Sequence, residues 1–219
     1  MRRILIALAL VWLTAVPAQA GAWLREHGTG FTAATATLRR PQDRFEYESA
    51  VYTEWGLTPR VTLGFDIHEH AGIAGHVLVF ARYPLWQLGD RGRFAAELAV
   101  GASHWQADWT PMQKFTLSYG RSLATRWGGG WLAVDGALEY RSGRPIRKLD
   151  MTLGLATARH IDPILSIETS QADGTFFWTL TPGITLDGPK GKATWLIGLE
   201  RKSALPDQIG LKIGLWKAF

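Results

Sequence analysis

The sequence has no cysteine among its 219 residues. Disulfide bonds and thiolate metal sites are therefore excluded, and the fold must be held together by other interactions. The chain also lacks any run of five or more basic residues, although its formal net charge is +5. Because lysine and arginine are scattered, they form no footprint for a nucleic acid, and we expect no nucleic-acid partner.

A long hydrophobic run occurs only at the N-terminus, where it has the order of an export signal. Residues 1–3 carry two arginines, residues 4–16 are almost all apolar, and residues 18–20 are small around one glutamine. The apolar run is shorter than the roughly 20 residues that a transmembrane helix needs. This order predicts a signal peptide over residues 1–20, cleaved before Gly21. An uncleaved N-terminal anchor is the alternative, and the protein leaves the cytoplasm in either case.

The remainder, residues 21–219, forms one predicted domain of alternating hydrophobicity. In one segment Val61, Leu63 and Phe65 share a face, and Thr62 and Gly64 share the other. Such alternation over about ten residues is typical of strands with two different faces. We predict an all-β, antiparallel barrel of twelve strands near residues 29–40, 45–57, 61–70, 75–86, 92–104, 112–125, 130–141, 147–158, 163–171, 175–187, 193–202 and 207–219. Ten strands is the alternative, because 75–86 and 163–171 are weakly patterned.

Periodicity alone also fits a soluble barrel or sandwich, in which the apolar faces pack inward. The position of tryptophan favours the membrane alternative, because indole rings gather at lipid–water boundaries. Several tryptophans lie near the ends of predicted strands, although ordinary core tryptophan would be an alternative. The expected aromatic girdle consists of Trp55, Trp86, Trp105, Trp109, Trp127, Trp131, Trp195 and Trp216.

The C-terminus gives a second indication. Lys212, Gly214 and the terminal Phe219 resemble the C-terminal assembly signal of bacterial outer-membrane barrels, from which Lys217 departs. The resemblance implies that the barrel-assembly machinery handles the chain during biogenesis. It also implies the Gram-negative cell outer membrane as the location, with its lipids and lipopolysaccharide as surroundings. A monomer is favoured, and the oligomeric state stays open.

A sheet in hydrocarbon must close on itself, because no water satisfies a free strand edge. An even strand count then brings both termini to the periplasmic side. Short periplasmic turns are expected near 58–60, 87–91, 126–129, 159–162 and 188–192. Short outer connections are expected near 41–44, 71–74, 105–111, 142–146, 172–174 and 203–206. Connections of this length leave little material for a plug inside the barrel.

Residues 52–64 are similar to a strand–turn–strand segment of the phenol-degradation meta-pathway outer-membrane family. That family has a stretch of the form E-x-G-L-T-D-R-hydrophobic-T-hydrophobic-G. Here the stretch begins at Glu54, and Pro59 replaces the aspartate. The resemblance implies a porin or transporter for small or apolar compounds. No catalytic residues carry over from it.

Charged residues on the second face of the strands are expected to line the lumen, since a charge in hydrocarbon is costly. They are Glu48, Glu54, Asp66, His68, Glu97, Lys114, Asp135, Glu139, Lys148, Asp150, Glu168 and Glu200. Two arrangements remain open: a filled, salt-bridged interior and a conducting pore. We expect no metal and no cofactor. The cluster of His68, Glu69, His70 and His76 is interpreted as solvated loop residues.

These features predict a passive channel or transporter for small solutes. A structural barrel without conduction and an outer-membrane lipid hydrolase are the alternatives. A hydrolase needs a nucleophile and a base within reach on the lipid-facing side. Ser103 and His104 are adjacent and so face opposite sides of a strand, and no His-x-Ser pair occurs. We therefore expect no enzymatic activity.

Overall fold

A computed structural model describes six stretches of the chain. They are residues 21–40, 45–89, 92–141, 143–157, 161–188 and 193–219. The predicted signal peptide lies outside the described residues, as do the expected outer connection at 41–44 and parts of four other connections. Among the described residues, no helix is long and apolar enough to cross a membrane.

Twelve strands make up the fold. They are β1 (Gly30–Arg39), β2 (Glu46–Thr58), β3 (Val61–His70), β4 (Ala74–Leu88), β5 (Gly92–Trp105), β6 (Asp108–Thr125), β7 (Gly128–Arg141), β8 (Arg144–Thr157), β9 (Ile161–Ala172), β10 (Thr175–Asp187), β11 (Thr194–Lys202) and β12 (Leu205–Ala218). Each strand pairs antiparallel with the next in the chain, and β12 pairs with β1. The predicted all-β barrel of twelve strands is thus confirmed, and the alternative of ten is wrong.

The two weakly patterned segments both form full strands, β4 and β9. One connection differs from the prediction. The stretch expected to be a loop over residues 105–111 is a two-residue turn, because β6 begins at Asp108. Gln106 and Ala107 both have positive φ, at 50° and 71°. A two-residue hairpin turn of this kind matches the twist of the strands that it joins.

The start of β1 and the end of β12 meet at one rim of the barrel, which we call the termini end. The backbone nitrogen of Gly30 donates to the oxygen of Phe219 at 2.7 Å, and the reverse bond measures 3.0 Å. The opposite rim, here the far end, carries the two-residue turn before Asp108 and the turn after His70. Closure therefore leaves no free strand edge along the wall.

The outer surface of the barrel is apolar. On β5 the side chains of Leu98 and Val100 are 65% and 62% exposed, whereas Ala99 between them is 3% exposed. The same alternation runs through neighbouring strands, so the large hydrophobic side chains form a continuous outward band. A soluble barrel has the reverse arrangement. An outward apolar band around a polar interior is the arrangement of a barrel that spans a membrane.

Six of the eight expected girdle tryptophans project outward near the rims. Trp55, Trp86, Trp127 and Trp195 lie near the termini end, and Trp105 and Trp109 lie near the far end. The structure corrects the expectation for the other two. Trp131 is 6% exposed and faces the interior, where the partly buried Trp216 packs near it. Both occupy inward positions of their strands, which the distance from a strand end does not reveal.

Replacing Leu98 with arginine is expected to destabilise the folded barrel in a bilayer by about 2–4 kcal/mol, because the charge would lie in hydrocarbon at the middle of the wall. The same change at Leu88, at the end of β4, is expected to cost only about 0–1 kcal/mol. The two side chains are equally exposed, at 65% and 64%, so the pair isolates depth. Urea titrations in phospholipid vesicles measure both, and equal losses would contradict a membrane-spanning band.

Candidate functional site: a charged lumen with an inserted N-terminal segment

The interior of the barrel holds most of its charged side chains. All twelve charged residues expected to face the lumen occupy inward positions. They contact one another or line the interior cavities. Some are almost inaccessible to solvent, since Glu54 is 0% exposed and Glu139 is 1% exposed. A buried charge is tolerated only when it is paired, so the partners decide what the lumen can do.

Arg82 of β4 organises the termini half of the lumen. Its guanidinium donates to Glu54 Oε2 at 2.8 Å and to Glu97 Oε2 at 2.7 Å. The hydroxyl of Tyr52 donates to Glu54 at 2.8 Å, and Arg25 also pairs with Glu54. These groups come from β2, β4 and β5 and from the residues before β1. They form a single network in which every carboxylate has a cationic partner.

A second network joins the seam between the first and last strands in the far half. Arg39 pairs with Glu200 and donates to Glu48 at 2.6 Å. The Nζ of Lys202 also donates to Glu48 at 2.6 Å. Lys212 lies 3.5 Å from Glu200, which links β12 to β11. These pairs brace β1, β2, β11 and β12 across the point of closure.

His68, Glu69, His70 and His76 lie on β3 and β4 and not on a loop; the three histidines face the interior, whereas Glu69 faces outward. The interpretation as solvated loop residues is thus wrong for the buried side chain of His76. That side chain is 8% exposed, and its Nε2 lies 3.3 Å from Asp66. The rings of His68 and His76 stack at 5.6 Å. Asp66 also accepts a bond of 3.1 Å from Lys114. Within the described ranges, no group of three or more side chains is placed to hold a metal ion.

Three acidic side chains lie abreast on adjacent strands. Asp135 of β7 is opposite Asp150 of β8, and Asp150 is opposite Glu168 of β9. Lys212 lies 3.6 Å from Glu168. Among the described side chains, no basic group lies within ion-pair distance of either aspartate. Asp150 accepts a backbone bond of 3.1 Å from Thr169, whereas Oδ1 of Asp135 is buried and accepts none.

Residues 21–29, here called the N-terminal segment, lie inside the termini half of the lumen. Ala22 is 2% exposed and Trp23 is 6% exposed. The Trp23 ring occupies the space over Gly120, where a Cβ atom would lie 2.5 Å from it. The ring packs in an apolar cage formed by Trp131, Ala133, Ile164, Leu196 and Trp216. The expectation that little material exists for a plug concerned the short connections, and it did not foresee that the N-terminal segment fills part of the lumen.

Backbone hydrogen bonds fix the end of the N-terminal segment to β2. Gly28 donates to the oxygen of Gly56 at 2.9 Å, and Gly56 donates to Thr29 at 2.9 Å. Arg25 donates its backbone N–H to Thr62 Oγ1 at 3.0 Å. A Cβ at Gly56 would lie 2.1 Å from the oxygen of Glu26, so only glycine allows this approach. The segment is thus built into the wall.

Two cavities lie on either side of the N-terminal segment. The central cavity has a volume of about 320 Å³ and includes Gly21, Asp135, Asp150 and Trp131 in its lining. A larger one of about 720 Å³ lies at the termini end, between the segment and the ends of β4 and β5. A smaller cavity of about 170 Å³ near the seam shares Thr35 and Lys212 with the central one. The segment therefore contributes to the lining of both the central cavity and the cavity at the termini end.

One charged pair lies on the outer face near the far end. Glu69 accepts a bond of 2.8 Å from the ring of His104 across Gly75, and the Trp109 ring packs on that histidine at 4.7 Å. The other ring nitrogen of His104 makes no hydrogen bond. Ser103 is on the opposite face, in the lumen. The pair thus has a base and an acid, with no hydroxyl bonded to it in the described part of the chain.

Comparison with known proteins identifies the fold. No family model matches the sequence, and no curated protein matches it. Among solved structures, the NanC porin has a TM-score of 0.65 at 8% identity, covering 84% of this chain and 98% of that one. The KdgM porin has a TM-score of 0.61 at 9% identity, covering 86% and 99%. An outer membrane channel from Pseudomonas putida has a TM-score of 0.55 at 11% identity, covering 93% and 99%.

LpxR from Salmonella typhimurium also shares the fold, with a TM-score of 0.51 at 7% identity, covering 85% of this chain and 99% of that one. At these identities the likeness concerns the fold. The chain has the architecture of an outer-membrane barrel of the porin type.

Replacing Arg82 with methionine is expected to lower the free energy of unfolding by about 3–5 kcal/mol, because it leaves Glu54 and Glu97 buried with too few partners. Arg144 provides the matched control. It pairs with Asp173 at a rim where both side chains are exposed, at 75% and 69%, so its change to methionine should cost about 0–1 kcal/mol. Urea unfolding in lipid vesicles tests both. A similar loss for the two variants would refute the role given to the Arg82 network.

Proposed function

We propose that the protein is a channel of the Gram-negative outer membrane through which small polar solutes pass passively. One observation carries the proposal: a closed wall with an apolar outer band encloses a charged interior that contains cavities. A wall without a conducting role could be filled with hydrophobic side chains. Polar lining is what a hydrated solute needs.

The charges favour cations over anions. Most inward carboxylates are already neutralised by Arg39, Arg82, Lys114 or Lys202. Asp135 and Asp150 line the central cavity without a basic partner within ion-pair distance among the described side chains. We therefore infer that the path prefers cationic or neutral solutes. One KdgM structure is a complex with oligogalacturonate, and this lumen lacks the excess of basic side chains that such a polyanion would require.

Lipid hydrolysis is less well supported. The outward Glu69–His104 pair has no hydroxyl bonded to it within the described ranges, and serine hydrolysis needs one. A purely structural barrel does not account for the cavities. Finer assignments remain proposals: membership of the phenol-degradation meta-pathway family through residues 52–64, and handling by the assembly machinery through Lys212, Gly214 and Phe219.

The purified protein is expected to give discrete ion-conductance steps after insertion into planar lipid bilayers, because water and ions can occupy the polar lumen. The steps should be smaller than those of an open barrel of this strand number, since the N-terminal segment narrows the path. Protein-free detergent is the control. No steps at any voltage, from protein shown to be folded by its heat-dependent mobility on a gel, would refute the channel.

Asp150→Asn is expected to reduce the ratio of potassium to chloride permeability by about two- to fivefold, since one charge at about 4 Å in water is worth about 1 kcal/mol. Asp207→Asn removes the same charge from an exposed position on β12 and should leave the ratio unchanged. Reversal potentials in a salt gradient measure both. If the two variants behave alike, the preference for cations does not arise in the central cavity.

A further inference from the structure

The first described residue lies beside the carboxylate of Asp135. A Cβ built on Gly21 would be 3.3 Å from Oδ1 and 3.5 Å from Oδ2 of that side chain. The backbone nitrogen of Gly21 branches from the same carbon, about 2.5 Å from that Cβ position, so it lies at most about 6 Å from either oxygen. Oδ1 of Asp135 is buried and has no hydrogen-bond partner. A carboxylate in this position lacks a cation.

We propose that Asp135 binds the α-ammonium group that signal-peptide cleavage creates on Gly21, and that this ion pair holds the N-terminal segment in the lumen. Cleavage before Gly21 is itself predicted from the sequence. Before cleavage, the Gly21 nitrogen is a neutral amide. Cleavage gives it a full positive charge and three donors, which Oδ1 of Asp135, the oxygen without a hydrogen-bond partner, can accept.

Three features of the site support this pairing. The contacts of Trp23, Arg25 and Gly28 already fix the segment, so placing its first atom at Asp135 costs little further order. The nearest inward lysine and arginine side chains are paired with other carboxylates. Gly21 and Asp135 both line the central cavity.

The pairing goes beyond the proposed channel, because it concerns the maturation of the chain. It makes insertion of the N-terminal segment depend on processing: the segment gains its last anchor only after the signal is removed. The cost of leaving Asp135 buried without a cationic partner is then relieved in the mature protein and not in the precursor.

The test begins with the intact mass of the protein purified from outer membranes, which should correspond to a chain starting at Gly21. The purified protein is then treated with cyanate, which carbamoylates free amines, and modification of Gly21 is followed by mass spectrometry. In folded protein the reaction at Gly21 should be about tenfold slower than in Asp135→Asn, the ratio that about 1.4 kcal/mol of interaction gives. Asp135→Glu keeps the charge and should keep most of the protection.

Asp207→Asn is the matched control and should react at the wild-type rate. Equal rates for the wild type and Asp135→Asn would overturn the proposal, and so would a mature chain that starts elsewhere. If Asp135→Asn does not fold, three samples are compared instead: folded Asp135→Glu, folded wild type and wild type unfolded in urea. Loss of protection in Asp135→Glu, or equal rates in the folded and unfolded wild type, would then overturn it. The carbamoylation rate does not depend on conductance, so the ion-pair proposal can be refuted without refuting the channel, and the reverse also holds.

Discussion

The structure depends on one constraint: each backbone N–H and C=O group at membrane depth needs a partner within the sheet. The pairing of β1 with β12 meets that constraint, with eight residue pairs from Phe31 opposite Ala218 to Leu38 opposite Leu211. Ion pairs brace this seam from inside the barrel. Arg39, Glu48 and Glu200 connect the strands on both sides of it. A barrel that opened here would expose two unpaired edges to lipid, so the ion pairs reinforce the joint at which the wall closes.

Closure also fixes which residues can hold function. Once the wall is complete, each strand has only two faces, and the apolar face contacts the surrounding lipid. All strongly polar chemistry is therefore directed into the lumen, apart from the rims. The Glu69–His104 pair is an exception that lies near the far rim, where headgroups and water can reach it. Glycine decides how much of the interior remains open: Gly120 and Gly154 lie under the rings of Trp23 and Trp131 and give them room.

The strand pattern and the inward set of charges could be predicted from the sequence, because both follow from a period of two that lipid enforces. The tryptophans show where such reasoning ends. Trp131 and Trp216 lie near strand ends like the girdle residues, but their position in the alternation turns them inward. The N-terminal segment had no periodic signal at all, since it lies across the lumen and is held by contacts with distant strands. Only tertiary structure brings Trp23 to Gly120 or Arg25 to Glu54.

The interior is both a brace and a path, and the ion pairs explain how these roles coexist. A carboxylate bound to a guanidinium contributes stiffness but little net field, because the two charges cancel at distances beyond the pair. The Arg82 and Arg39 networks therefore line the lumen without imposing a strong preference on passing ions. The ion selectivity of the lumen is therefore set by the charges that have no partner of opposite sign. If the mature N-terminus neutralises Asp135, that remainder is Asp150, on the strand beside it. A wall stabilised by pairing thus concentrates discrimination in a single side chain of the central cavity.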